Sequence, residues 1–403
     1  MIASTRMSVF LAGRSLARSN YGIAAMTTIM MLLIYVSLLF LPSLIQGAIN
    51  RADTQLTSTL TSNIVITPAG HGTSIDDAAS YLASIRGTAG VAAATAVYRV
   101  GTQVSYGATS VNATIDAIDP ASYGQVFSTP RNLIEGRALT TDDTTQVLLG
   151  IGVAGANRPS VRGYRASLET VNAGDTVSVT LTSGHAINLT VAGVYDNQFP
   201  QSDGNAYITR SEAASLVPPS VDHATTIYVK TRPGTTDTQE VSRLEKIRGG
   251  MQFLTSAGLG AAVQDQTATY QLISTLLKLI SLAMAAATII TITYIDLVSK
   301  RRQTGIQRAI GIRSAPIVAS YVLKAWAYAL AGIGAGYLVL RYVITPLVNA
   351  HPFQFPNGPV TLATTWHETI LDLIVLAIVA TLAALLPAWR AIQTHILDAI
   401  WGT

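Results

Sequence analysis

Residue types that do chemistry, Ser and Asp above all, are plentiful in this chain, but none falls in a catalytic pattern. There is no cysteine, which removes disulfides, thiolate metal sites and catalytic thiols. The histidines are scattered, with no H-E-x-x-H and no paired ligand spacing, so no metal site is expected. No G-x-x-x-x-G-K-[ST] occurs, so the chain does not cradle nucleotide phosphates itself. No G-x-S-x-G elbow is present either. What stands out instead is charge in apolar surroundings: Lys278, Lys324 and Asp372 each fall inside a long hydrophobic run. Intramembrane charges are functional candidates by default. Lys278 and Asp372 both lie towards the same ends of their runs and could pair between them, or reach the interface. Lys324 lies about 10 Å from its boundary at ~1.5 Å per residue, and the simplest expectation is that it snorkels outward to water.

A second concentration is the stretch Ser299–Arg313, which carries Lys300, Arg301, Arg302, Arg308 and Arg313 with no acid. Basic residues between apolar spans mark the cytoplasmic side. Its middle predicts one or two helical turns closed by Gly311. Ile306, Ala309 and Ile310 then share one face, with Arg308 beside it. Such a helix suits docking into a groove on a cytoplasmic partner.

The elements that position these residues follow from composition. Of the 403 residues, 49% are hydrophobic and only 12% are charged, against about 25% charge in soluble domains. A basic amphipathic helix is expected over 1–19, with Arg6, Arg14 and Arg18. The first span covers 20–46. Its uncharged run is too long for a cleavable signal, whose apolar core is about 7–15 residues. Residues 47–268 form a polar domain in which, over 51–269, 18 acids face 14 Lys or Arg. The charge asymmetry places it outside.

Within that domain, strands are expected at 63–67, 91–100, 146–149, 176–181, 186–194 and 225–230, with a hairpin around Gly107. Ser74 and Asp77 read as a capping box for a helix to Ile85. A second helix over 236–248 carries Val241, Leu244 and Ile247 on one stripe. Strand–helix–strand, then strand–helix much later, predicts a split two-layer unit with a β-rich insert at about 120–222. Beyond it lie the second span with a stalk (269–296), the basic loop (297–316), the third span (317–341), an outer loop (342–367), the fourth span (368–389) and a tail (390–403). Gly332, Gly334 and Gly336 offer a face for close helix packing. The three inner segments hold nine Lys or Arg, whereas the outer loop holds none and has only Arg341 at its edge. Both termini are therefore expected inside a prokaryotic cytoplasmic membrane.

The run KRRQTGIQRAIGIRSAPI, with Tyr321–Ala325 and the three glycines, resembles the FtsX/MacB-type ABC transporter permease family. Residues 133–139, 147–150, 171–177 and 191–194 are similar, in order, to that family's exported domain. Gln303 stands where the family usually has Glu, Lys324 where its next helix often has Glu, and Ile396 where its tail usually has proline. The resemblance implies an integral membrane protein with four transmembrane helices and a large α+β extracytoplasmic domain, in which a porter-like α/β part carries a β-rich insert. It implies that Arg302, Gly305, Ile306, Arg308, Ala309, Ile310 and Gly311 form a coupling helix engaging a separate ABC ATPase. Two copies of that ATPase would bind ATP and Mg, and this chain would hold no cofactor. The chain would work as a homodimer, or paired with a related permease, in contact with membrane lipids and with an extracytoplasmic adaptor as a further possible partner, and with no nucleic acid. Two functions follow from the resemblance. One is export or extraction of a hydrophobic or lipid-like substrate, which the large domain favours. The other is mechanotransmission to an extracytoplasmic partner such as a cell-wall hydrolase.

Overall fold

Long uncharged runs in a chain that must satisfy every backbone N–H and C=O within lipid leave helices as the open choice. A computed structural model of the chain describes residues 10, 12–14, 21–70, 72–155, 167–168, 171–181, 184–216, 218–259, 261–312, 314–355, 358–364 and 366–393. Most of the expected amphipathic helix at 1–19, together with Arg313 and residues 394–403, lies outside these. The chain divides into two units. One holds Met1–Ala48, Ala268–Phe353 and Val360–Thr403, and the other holds Ile49–Thr267 and Gln354–Pro359.

Among the described residues, four helices are long and apolar enough to cross a membrane. They are Tyr21–Leu56, Ala261–Ser299, Ser314–Val339 and Trp366–Gln393. The third runs on past its expected end at 341. A π-turn at Leu340–Ile344 leads into Thr345–Ala350. Pro346 explains the wide turn: its ring would clash with the carbonyl four residues back, and it donates no N–H. The fourth helix starts earlier than expected and passes through Pro387 to Gln393. Packing inside this unit uses small residues, with Ala380, Ala383 and Ala384 of the fourth helix meeting Met31, Ile289 and Ala325. Trp326 Nε1 donates to Thr381 Oγ1 at 2.9 Å. Large apolar side chains such as Leu276, Ile280, Ile378 and Leu382 point outward, as lipid-facing positions should.

The second unit is built on ten strands: β1 (Ile64–Pro68), β2 (Val91–Tyr106), β3 (Thr109–Ile118), β4 (Leu133–Gly136), β5 (Gln146–Gly150), β6 (Thr176–Leu181), β7 (Ala186–Tyr195), β8 (Asn205–Thr209), β9 (Thr226–Thr231) and β10 (Met251–Thr255). Four of them pair antiparallel in the order β10-β1-β9-β2. Helices Ala78–Arg86 and Asp237–Leu244 belong to the same layered unit. Ile64, Ile66, Tyr81, Ile85, Ile227 and Leu244 fill the space between sheet and helices. This is a split β-α-β plus β-α-β arrangement of the ferredoxin-like kind. β10, which closes it, follows the Gly249–Gly250 turn and is absent from the sequence reading.

The insert is β-rich, as expected, but differs from expectation in extent. β2, β3, β8, β5, β7 and β6 pair in a ring, since β6 bonds both β7 and β2, and they form a closed six-stranded barrel with β4 added outside β7. The barrel starts at the second half of β2, at Tyr98, rather than near 120. Val104, Ile115, Val147, Val177 and Val191 fill it. β2 is thus one 16-residue strand serving both sheets. Where it passes between them, Arg99 stands opposite Asp116 on β3 and forks onto both carboxylate oxygens at 2.7 and 2.9 Å. The hairpin turn at Gly107 has φ +59°, which glycine adopts at no steric cost.

Two local expectations fail. Asp77 sits in the left-handed region with no side-chain cap, and Ser74 reaches Asp76 instead, so no capping box forms. Ile247 lies beyond the end of the second helix and is partly exposed.

Candidate functional site

The basic stretch forms a helix, Arg301–Ala309, between the second and third spanning helices. Its end is closed by Gly311 at φ +89°. There Gly311 N–H donates to Arg308 O and Ile312 N–H to Gln307 O, both at 3.1 Å. These are the two bonds of a Schellman cap, which satisfies carbonyls that the helix end would otherwise leave open. Thr304 and Gly305 are buried, while Ile306 is 48% exposed and Ile310 72%. Arg302 and Ala309 are also exposed and Arg308 is half-buried. The helix therefore has an inner side fastened to its own unit and an apolar outer side. Thr304 and Tyr321 hydroxyls approach to 3.5 Å on the inner side. Beneath them Leu297, Ile317, Tyr321 and Ala388 form a small buried cluster.

The root of this helix is tied electrostatically to both neighbouring spans. Asp296, one turn before Lys300, takes Lys300 Nζ at 3.3 Å and Lys324 Nζ at 2.7 Å. Lys324 is 4% exposed. It does not snorkel to water but points inward and joins the third span to the second. Burial pushes the Lys300 ammonium below its ordinary pKa; Asp296 opposes that shift and the neighbouring Lys324 adds to it. Asp296 is the residue that sequence reasoning passed over. Its i,i+4 spacing to Lys300 on one continuing helix was the available signal. Its pairing with Lys324, 28 positions away, left none.

At the other end of the bundle Lys278 Nζ meets both oxygens of Asp372, at 3.2 and 3.1 Å, and so bridges the second and fourth spans. Of the three glycines, Gly332 and Gly336 lie against the first span. A Cβ on Gly332 would strike Met31, and one on Gly336 would come within 2.6 Å of the Tyr35 ring. Gly334 faces open space. The correction is geometric: positions four apart share a helix face and positions two apart do not. Among the described residues, no three His, Asp or Glu side chains gather as metal ligands would.

Comparison with known proteins adds the decisive observation. Residues 23–247 match the MacB-like periplasmic core domain, and residues 275–396 match the FtsX-like permease C-terminal domain. The chain belongs to the FtsX/MacB-type ABC transporter permease family. Solved structures similar to this permease include the periplasmic region of MacB from Actinobacillus actinomycetemcomitans, at 14% identity and TM-score 0.38, covering 52% of this chain and 95% of that one. The extracellular domain of the noncanonic ABC-type transporter YknZ from Gram-positive bacteria follows at 12% identity and TM-score 0.34, covering 48% and 98%. A domain of a permease protein from Porphyromonas gingivalis is similar at 12% identity and TM-score 0.30, covering 49% and 87%. The search of curated proteins found no match. Permeases of this family are generally non-catalytic membrane components, and the family generally implies an ABC ATPase partner.

Proposed function

We propose that this permease couples a separate cytoplasmic ATPase to movements of its extracytoplasmic domain, and so exports or extracts a hydrophobic or lipid-like substrate. The observation that carries the reading is the two-sided helix Arg301–Ala309. It presents Ile306 and Ile310 outward while its root at Lys300 is ion-paired, through Asp296, to Lys324. A push on the outer face thereby reaches the second and third spans together. Interiors do not deform continuously, so small displacements of a packed element are passed on to its neighbours.

In this reading both termini and the basic helix are cytoplasmic, following the excess of Lys and Arg on that side. Two copies of the permease assemble with two copies of the ATPase, which hold ATP and Mg. The test is purification of the permease from native membranes in mild detergent. A co-purifying chain with a Walker A motif, near one-to-one, is expected, together with bound lipid or another hydrophobic molecule. A cell-wall hydrolase in place of a small molecule would replace cargo transport by signalling. Recovery of the permease alone, from membranes with no ATPase activity dependent on it, would overturn the proposal.

A further inference from the structure

A cavity of about 270 Å³ lies among the first three spanning helices. It sits at the end of the bundle where the second helix stops at Ser299 and the third starts at Ser314. Its inner wall is apolar, built from Met31, Ile289, Ile292 and Ala325. Among the described residues, the charged ones that line it are Asp296, Lys300 and Lys324, and they form its rim. Ile295 and Ser299 also line the cavity and are exposed, so it reaches the outer surface of the bundle. The rim holds two ammonium groups and one carboxylate. An apolar well under a net positive rim is complementary to one kind of molecule, an amphiphile with an anionic head. A small anion would leave the wall of isoleucines uncovered, and an uncharged lipid would make no charge-assisted contact with the ammonium groups.

A smaller cleft, of about 60 Å³, adjoins this one on the side of the basic helix. The two share Lys300, Tyr321 and Lys324, and Gln303, Thr304 and Gln307 line the smaller one. A head group on the rim would therefore also touch the root of the proposed coupling helix.

We propose that this cavity binds one anionic phospholipid from the leaflet beside the basic helix. Its phosphate rests against Lys300 and Lys324, and part of one acyl chain lies along Ile289 and Ile292. The bound lipid is then a built-in part of the joint between the ATPase-facing helix and the second and third spans. The choice of leaflet rests on the orientation given under the proposed function.

The test uses the full-length permease in nanodiscs made from equal parts phosphatidylglycerol and phosphatidylcholine, with retained lipid measured by native mass spectrometry. One charge-assisted contact sets the expected preference for phosphatidylglycerol at roughly tenfold. Lys300→Gln keeps the Lys324–Asp296 pair and should bring the two lipids close to parity. Ile292→Trp fills the well with all charges intact and should abolish retention of both. Equal retention of the two lipids by the unaltered permease would overturn the proposal. So would unchanged retention by Ile292→Trp, or displacement of phosphatidylglycerol by inorganic phosphate alone. Orientation is read separately. The chain has no cysteine, so Ile310→Cys can be labelled selectively in sealed cells. Labelling from outside would refute the choice of leaflet and leave the nanodisc result to stand or fall by itself.

Discussion

Replacing Ile306 and Ile310 together by serine tests the outward face of the proposed coupling helix, because its cost can be worked from exposure. Full burial of an isoleucine side chain is worth about 1.5–3 kcal/mol. Ile306 is 48% exposed and Ile310 72% in the isolated permease, and that remaining exposure is what docking on an ATPase would remove. Scaling by those fractions gives about 2–3.5 kcal/mol per helix for the pair. That corresponds to a loss of affinity of roughly 30- to 300-fold. Because both side chains already face outward, the permease should lose little stability, within about 0.5 kcal/mol. The assay is a titration of detergent-solubilised permease with its co-purifying ATPase, read by fluorescence anisotropy, alongside thermal unfolding of each variant. An affinity within threefold of the unaltered permease would refute the reasoning. A matching loss of thermal stability would do the same, since it would show that these residues support the fold.

Gly332→Val should lower the unfolding temperature through overpacking against Met31 and Leu32, at a cost of about 1–3 kcal/mol. Gly334→Ala meets nothing within 4 Å and should be neutral or stabilising by up to about 1 kcal/mol; a stability loss like that of Gly332→Val would contradict the assigned face. Lys278→Met leaves the Asp372 carboxylate poorly paired and should cost about 3 kcal/mol or less, as Lys278 is partly exposed. The exchanged pair Lys278→Asp with Asp372→Lys should recover most of that in the same melting assay. In the loop between β4 and β5, Arg137 beside Asp143 and the Thr140 N–H hold that carboxyl well below its usual range. A carboxyl depressed by folding adds stability that is present above its unfolded pKa of about 3.9 and is lost as pH falls below it. Asp143→Asn should therefore flatten part of the acid limb of a stability–pH curve, by less than about 1 kcal/mol because Arg137 is half exposed.

The spans were legible because each is a long, strongly apolar run with at most a single charge well inside it, and the short helix because Gly311 marks its end. Their lengths were less so. The π-turn before Pro346 and the passage through Pro387 show that a proline ends a helix only where neighbouring turns cannot widen or repack around it. Side-chain pairs followed the same division. The Lys278–Asp372 pair could be suspected because both charges lie inside apolar runs, whereas Asp296 sits at the boundary of its run, where a charge draws no notice. The barrel was hidden for another reason. No proline or loop in Val91–Tyr106 marks the residue at which one strand leaves its first sheet: the backbone stays extended through the change of partners, and only burial changes, from nearly continuous up to Val97 to alternating beyond Tyr98.

That shared strand also governs how the extracytoplasmic domain can be altered. A module joined by two loops can be cut out, transplanted or replaced. Here the seam runs through the hydrogen-bonded middle of β2, between Val97 and Tyr98, with the Arg99–Asp116 fork just past it. Excision at loop boundaries near 120 and 222 would leave two of the six barrel strands behind, with β2 and β3 bared as open edges that invite aggregation. A graft from a related permease has to carry both halves of the strand or neither.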